Sequence, residues 1–497
     1  MKGRVVLIGL DGAPPDLIFR WAREGLLTNI RGLMAKGAYG QLRSTIPPTT
    51  CPAWTSSVTG VSLEKHGVYD FFLRADLIRK RIFFANSRVR RVKALWNMLD
   101  EVGRTTVCLN MPVTYPPEKL NGAMVTGLLT PSVRSDFTYP AGLKEELLDM
   151  GYKIDLGSTS LDKVLLFKRN PIEFLRKAIE LVRLRLKAAR YLMANFDWDL
   201  FIVVFTALDR INHLFWKYID PRHKAFDERM SVALLPYIKR CYVEVDKAIG
   251  ELLRLTGPEV DVILYSDHGF RPLNYFMFIN NALRAHGLLN VRSSRLAKAV
   301  PTHDVYVRLF KRLSVIKAIP DVLPSTLVRR LGHLLRPSSE VLGLFDIEPE
   351  NTLAFQLGQF VHLNEHIDGD ELNKVLKIVL GALKNYASSA RVNGIVKWLP
   401  VAGCGTRPLV ALLFSGDVSS RHLLPADGRI FQAYSETDIP TLMWCGDHAL
   451  HGTLIMAGPH VTRRGWLDGA RIIDIAPTVL KLLGMDIPSY MDGKPLT

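Results

Sequence analysis

The residues Asp267 and His268 stand together just after a short apolar run, 260–264, and ahead of the turn signals Gly269 and Pro272. An aspartate and a neutral histidine supply the oxygen and nitrogen ligands that suit Zn²⁺ and similar ions. The same residue types recur beside other apolar runs. Asp11 closes the run 5–10, Asp209 and His213 follow the run 199–205, and Asp447, His448 and His451 precede the run 454–457. Asp209 and His213 are four apart, so one helical turn sets both on one face. Taken singly, each is a polar turn or a solvated helix pair. Together they offer ligands for two ions, which is the requirement of two-metal phosphoryl transfer. A nucleophile is at hand in the loop 46–55, where Thr49 and Thr50 precede Cys51 and Pro52. A hydroxyl at a helix start beside a metal can lose its proton and attack phosphorus. The helix N-terminus also favours phosphate oxygens.

These side chains need a sheet to hold them. The runs 5–10, 105–109, 199–205, 260–264 and 454–457 read as strands buried on both faces. Helices fall between them. One starts at the prolines 14–15 and stops near Gly25, a second covers 29–36 and a third begins near Thr55 and ends at Gly60. A long basic amphipathic helix covers roughly 160–195 and a closing helix covers 475–483. Alternating strands and helices predict an α/β fold with a doubly wound, mostly parallel sheet flanked by helices. Ligands gather at the carboxyl ends of such strands. The segment 286–345 is rich in Leu, Arg, Lys and Ser without clear strands. It reads as a helical insertion or cap between two parts of one core, 1–285 and 346–497.

The chain of 497 residues is 48% hydrophobic and 23% charged, ordinary values for a globular protein. Its net charge of +16 favours anionic partners, phosphate esters among them, and leaves peripheral contact with an anionic membrane open. No zinc-knuckle, RNA-binding or basic-zipper pattern occurs, so sequence-specific nucleic-acid binding is not expected. The five cysteines are scattered, with no CxxC pair, which fits a reducing compartment. No apolar run reaches the roughly 20 residues that span a bilayer. The N-terminal run is too short for a signal peptide. A cytoplasmic location is expected.

In this order and spacing the pieces resemble the alkaline phosphatase superfamily. The branch they resemble is that of type I phosphodiesterases and nucleotide pyrophosphatases, and within it a group of predicted phosphohydrolases or phosphomutases. The pieces are the run into Asp11-Gly12, the segment 46–60 followed by Glu64-Lys65-His66-Gly67, the stretch 209–213, Ser266-Asp267-His268-Gly269, the run 454–459, Asp474 to Thr478, and Met491-Asp492-Gly493. The resemblance implies two divalent metals, zinc or manganese, and a small phosphorylated substrate. One ion would be held by Asp11, Thr50, Asp267 and His268. The other would be held by Asp209, His213 and a late histidine, His448 by its place four residues before Gly452, with His451 as the alternative. Thr50 would be the nucleophile and carry a phospho-threonine intermediate. Cys51 matches the sulfatase cysteine poorly, because Pro52 follows it directly. The chain departs from the branch at Phe71, which occupies the place of an asparagine that donates to the phosphate. Lys65, His66, Asn110 or an arginine from elsewhere in the chain are the candidates for that donor. A phosphoric ester hydrolase is the leading reading. A phosphotransferase or phosphomutase on the same fold, or a non-catalytic anion-binding protein, are its rivals.

Overall fold

A computed structural model describes residues 3–497 except 79–80, 158–159, 292–346, 365–366, 368–369, 371–372, 376, 382–393, 400–408, 415–416, 422–429 and 435–443. Nearly all of the expected insertion 286–345 lies outside the described residues, as does Cys404. The other four cysteines are free and buried.

Nine strands form one large sheet. In chain order they are β1 (Val5–Leu10), β2 (Ala38–Arg43), β3 (Thr106–Met111), β4 (Gly122–Thr126), β5 (Thr138–Tyr139), β6 (Leu200–Phe205), β7 (Asp261–Tyr265), β8 (His451–Ala457) and β9 (Gly465–Trp466). Their order across the sheet is β9-β2-β8-β7-β1-β6-β3-β4-β5. The central strands β7, β1, β6, β3 and β4 are parallel, and β8 inserts antiparallel between β7 and β2. This is the doubly wound, mostly parallel sheet that the alternating pattern predicts.

Every residue of β1 and β6 is buried. Val6, Ile8 and Leu10 pack into the cluster built with the helices Pro15–Arg23, Pro171–Asn195 and Glu228–Thr256. Val5 and Leu7 point the other way, into a cluster with Trp54 and the helix Ile475–Leu482. Period-two alternation thus gives each face its own core, and each such buried side chain contributes about 1.5–3 kcal/mol. Gly9 interrupts the run for a packing reason. A Cβ there would lie 2.5 Å from the ring of Trp54, so the glycine lets the helix Thr50–Thr59 press onto β1.

Two helices differ from expectation. The helix read as starting near Thr55 begins at Thr50, because Pro52 falls in its first turn, where the missing N–H is not needed. The basic helix is two helices, Ser160–Arg169 and Pro171–Asn195. Asn170 caps the second by accepting from the Glu173 N–H at 3.0 Å, and Pro171 takes the first helical position. Its basic side chains are largely engaged. Arg185 is buried and donates to the carbonyls of Lys153 and Ile154, and Arg183 pairs with Glu244 at 2.6 Å.

Smaller sheets lie between β7 and β8 in the chain. Gly269–Pro272 pairs antiparallel with Gly446–Ala449. Tyr275–Phe278 pairs with Val418–Arg421 and Phe431–Ala433, and a four-stranded sheet holds Ala354–Leu357, Phe360–Leu363, Leu409–Phe414 and Gly394–Leu399. Among the described residues the large sheet therefore takes up its next strand at His451. None of the described helices is long and apolar enough to cross a membrane.

Candidate metal centre

Three neighbouring strands deliver the acidic residues. β7, β1 and β6 are adjacent and in register, Tyr265 beside Gly9 and Leu10 beside Phe205. Asp11 follows β1 directly and Asp267 lies two residues past β7. Asp209 sits in the first turn of the helix Ala207–Phe215 that follows β6. That helix puts His213 one turn further on the same buried face, with Nε2 3.3 Å from Asp209 Oδ1. The turn after β1 needs Gly12. Its φ is +66°, and a Cβ there would meet the Phe270 ring at 2.5 Å and Asp209 at 3.0 Å. The Gly12 N–H donates to Asp267 Oδ1 at 3.1 Å, tying the first strand end to the second.

The late histidine that joins them is His448. Gly446–Ala449 pairs with Gly269–Pro272 so that His448 stands opposite Phe270, and Arg271 Nε donates to the His448 carbonyl at 3.0 Å. The His448 ring stacks on that of His268 with centroids 3.5 Å apart. His448 Nε2 lies 3.5 Å from Asp209 Oδ1. His451 is exposed, at the start of β8, and takes no part in this cluster.

Two overlapping groups result, Asp209 with His213 and His448, and Asp11 with Asp209 and His268. Asp267 Oδ2 lies 3.2 Å from His268 Nε2, Asp11 Oδ1 3.6 Å from it and Asp209 Oδ1 3.9 Å from it. Thr50 Oγ1 sits 3.5 Å from the same nitrogen, at the first residue of its helix and only 2% exposed.

The chemistry of these donors fits divalent cations. Both oxygens of Asp11, Oδ1 of Asp209 and Oδ2 of Asp267 are buried with no hydrogen-bond donor. Buried carboxylate oxygens without partners are strongly unfavourable unless a cation meets them. Each of the three imidazoles places Nδ1 against a backbone carbonyl. His213 faces Gly446 at 2.9 Å, His268 faces Gly269 at 3.1 Å and His448 faces Pro48 at 2.8 Å. A carbonyl only accepts, so Nδ1 of each ring carries a proton and Nε2 is the atom turned inward. The Nε2 atoms of His213 and His448 then face each other at 3.1 Å. Two lone pairs repel at that distance unless a proton or a cation lies with them.

Without a cation the acidic cluster holds protons. Burial, then the charges of Asp267 and Asp209, push the Asp11 carboxyl far up. Burial pushes Asp267 up to about 8. Burial also opposes ionisation of Asp209, but His213 and Arg210 outweigh it and hold that carboxyl well below the usual range. Burial, then neighbouring His448, drive His268 well down.

Residues 5–333 match the sequence profile of type I phosphodiesterase/nucleotide pyrophosphatase, which is more than half of the chain. The chain belongs to that family. It is accordingly a phosphoryl-transfer enzyme, and the family is metal-dependent. The fold of this type I phosphodiesterase family member is also that of two solved structures. Human ectonucleotide pyrophosphatase/phosphodiesterase 5 superposes with a TM-score of 0.52 at 12% identity, over 99% of this chain and 97% of that one. Phosphonoacetate hydrolase from Sinorhizobium meliloti 1021, solved with phosphonoformate, gives 0.56 at 12% identity over 97% and 95%. A shorter likeness is to 2,3-bisphosphoglycerate-independent phosphoglycerate mutase of Cronobacter sakazakii, 38% identical over 72 residues. That match covers 14% of this chain and 11% of the mutase.

The residues named for phosphate contact lie differently. Lys65 is half exposed and pairs with Asp492 at 2.5 Å in the C-terminal tail. His66 is wholly buried. Its Nδ1 accepts from the Val68 N–H at 3.1 Å, and its Nε2 therefore donates to Ser56 Oγ at 2.9 Å. Burial lowers it to about 3, so it is a neutral, fully used side chain. Asn110 is buried at the end of β3 in a left-handed conformation, φ 65°, and donates to the Val204 carbonyl at 3.0 Å. Phe71 is half-buried against the apolar cluster of Cys51, Val68, Ala85 and Val113. Sequence reasoning missed Arg210, whose side chain is largely covered and bonds Asp209. It missed Asn212, whose amide donates to the Gly12 carbonyl at 2.9 Å. It also missed Trp444, stacked on His213 at 4.1 Å. The signal for the first two was polarity inside a buried helix face, at positions one and three after Asp209.

Proposed function

We propose that the protein is a phosphoric ester hydrolase that uses two divalent ions, zinc or manganese, and a covalent phospho-Thr50 intermediate. The observation that carries this reading is the convergence of donorless carboxylate oxygens and inward Nε2 atoms around one buried hydroxyl, Thr50 Oγ1. Asp11, Thr50, Asp267 and His268 would hold one ion, and Asp209, His213 and His448 the other. Bound ions would supply Lewis-acid charge that activates the hydroxyl and neutralises the phosphoryl oxygens.

The chain's own residues do the rest. Thr50 Oγ1 attacks phosphorus, the ester oxygen leaves, and water then cleaves the phospho-threonine. The first-turn N–H groups of the helix Thr50–Thr59 point past its N-terminus and favour the negative phosphoryl oxygens. The three Nδ1 contacts to carbonyls fix ring orientation and tautomer, so the ligand atoms are set before substrate arrives. His66 and Lys65 hold the flanking loop in place instead of touching phosphate.

The partial likeness to phosphoglycerate mutases supports a second reading, transfer of the phosphoryl group from Thr50 to an acceptor alcohol instead of water. A panel of phosphate mono- and diesters, run with zinc or manganese and with or without added alcohols, tests both. Metal-dependent release of phosphate or phosphomonoester supports hydrolysis, and a phosphorylated acceptor supports transfer. No turnover of any ester with either metal overturns the proposal.

A further inference from the structure

Behind Asp209 a row of largely covered charges leads away from the cluster. Asp209 Oδ2 is taken by Arg210 Nη1. Arg210 Nε in turn donates to Asp155, 3.0 Å to Oδ2 and 3.2 Å to Oδ1. Lys163 Nζ meets Asp155 Oδ2 at 2.9 Å, and Thr206 Oγ1 donates to its Oδ1 at 3.4 Å. The side chains of Arg210 and Asp155 are 11% and 10% exposed, so this is interior structure, not a solvated ion pair. Asp155 and Lys163 come from the segment leading into the helix Ser160–Arg169 and from that helix. None of these three residues carries a ligand atom of the cluster.

The consequence lies in the orientation of one carboxylate. With Oδ2 held by Arg210, only Oδ1 of Asp209 faces inward, and it is the atom that lies 3.3 Å, 3.5 Å and 3.9 Å from the Nε2 atoms of His213, His448 and His268. We infer that Arg210, held in turn by Asp155 and Lys163, is a positioning residue that locks Asp209 as a single-oxygen ligand facing both ion groups. Without it the carboxylate can rotate about χ2 and chelate one ion through both oxygens, at the expense of the other. A guanidinium suits the task because its planar fork bonds two carboxylates at once, which an ammonium cannot match. The inference rests on the reading of Asp209 as a metal ligand, and its test reads metal binding, not turnover.

The experiment is calorimetric titration of the metal-stripped full chain with Zn²⁺ or Mn²⁺, for the wild type, Arg210→Gln, Arg210→Lys, Asp155→Asn and the double variant Arg210→Gln/Asp155→Asn. Arg183→Gln, an exposed ion pair on another helix, serves as the control for loss of one positive charge. We expect two sites in the wild type and in the control. Arg210→Gln and Asp155→Asn should each weaken metal binding roughly 10–100-fold, the usual effect of losing an outer partner of a ligand. The double variant should be no weaker than the worse single, because both act through one contact. Arg210→Lys should fall between wild type and Arg210→Gln, and as the mildest change it serves the test if the others do not fold. Unchanged metal affinities in Arg210→Gln with a raised KM would make Arg210 a substrate contact and overturn the inference. Additive losses in the double variant would overturn it as well. A wild-type chain that binds neither ion would overturn this inference and the metal-dependent function together.

Discussion

Stripping the metals should turn the cluster into a proton store, and the coupling can be worked out from the structure. In the metal-free protein burial holds the Asp267 carboxyl up to about 8, and burial with the Asp267 and Asp209 charges raises Asp11 too. A divalent ion needs those carboxylates ionised, so it must displace their protons. For a single group titrating near pH 8, the fraction ready to bind rises roughly fifty-fold between pH 6 and pH 8 and then levels off. Metal affinity should rise accordingly, and at pH 7 about one proton should leave Asp267 per chain on loading. Any proton on His448, which Asp209 favours against the effect of burial, leaves in the same direction. The sign for stability follows from the same shift. A carboxyl raised in the folded state keeps a proton that the unfolded chain has given up, so the metal-free protein loses stability as pH rises, by about 1.4 kcal/mol per unit for each such group. For Asp267 that loss begins above the unfolded value near pH 4 and ends at the folded value near pH 8. The lowered groups Asp209 and His268 act at lower pH, while Asp11 and His448, both raised, lose their protons in the same direction as Asp267 and add to the loss. Titration calorimetry in two buffers of different ionisation enthalpy counts the protons, and chemical denaturation at several pH values reads the stability. Metal affinity that is flat between pH 6 and 8, with no proton release, would refute the reasoning.

Three further outcomes follow from the site. Thr50→Ala should reduce ester turnover by several orders of magnitude while elemental analysis still finds two ions per chain, and retained turnover on an aryl phosphate would remove Thr50 as nucleophile. His448→Ala should lose metal, whereas His451→Ala, at an exposed position, should keep both ions; the reverse pattern would show that the pairing of Gly446–Ala449 with Gly269–Pro272 does not set the ligand. Phe71 and Leu73, the extra residue of a bulge in the hairpin 72–84, line an apolar cluster with Cys51, next to Thr50. Phe71→Asn should lower kcat/KM on p-nitrophenyl phosphate roughly tenfold, as loss of an aromatic contact of about 1–1.5 kcal/mol implies, and an unchanged or higher value would place the leaving group elsewhere.

What was legible in the sequence was local. Asp11, Asp209, His213 and Asp267-His268 announce themselves because each follows a buried apolar run, and a parallel sheet brings the carboxyl ends of such runs to one edge. The run lengths and their separation by helices were enough to predict the sheet. What stayed hidden depends on contacts between segments far apart in the chain. The sequence favours His448 over His451 by its place four residues before Gly452, but the two-stranded ladder that ties residues 446–449 to 269–272 and carries His448 to the cluster has no local pattern to report it. The small sheets between β7 and β8 escaped for the same reason, since their strands are short and pair across long gaps.

Lys65, His66 and Arg210 show how much a basic side chain's role depends on partners far away in the chain. A basic residue beside a candidate nucleophile invites a role in phosphate binding, yet Lys65 reaches the C-terminal tail and His66 spends both nitrogens on its own loop and helix. Arg210 is adjacent to Asp209 in the sequence, and an arginine on a helix is usually solvated. Its burial changes the argument. A guanidinium is removed from water at large cost unless carboxylates meet it, and here two do, one of them at the cluster itself. Asp155 bears a negative charge whose only described partners are Arg210, Lys163, Thr206 and a backbone N–H. So the row is near neutral as a whole, and one oxygen of Asp209 belongs to it. The other oxygen has no hydrogen-bond donor and faces three imidazole nitrogens, a placement that suits a cation shared among them.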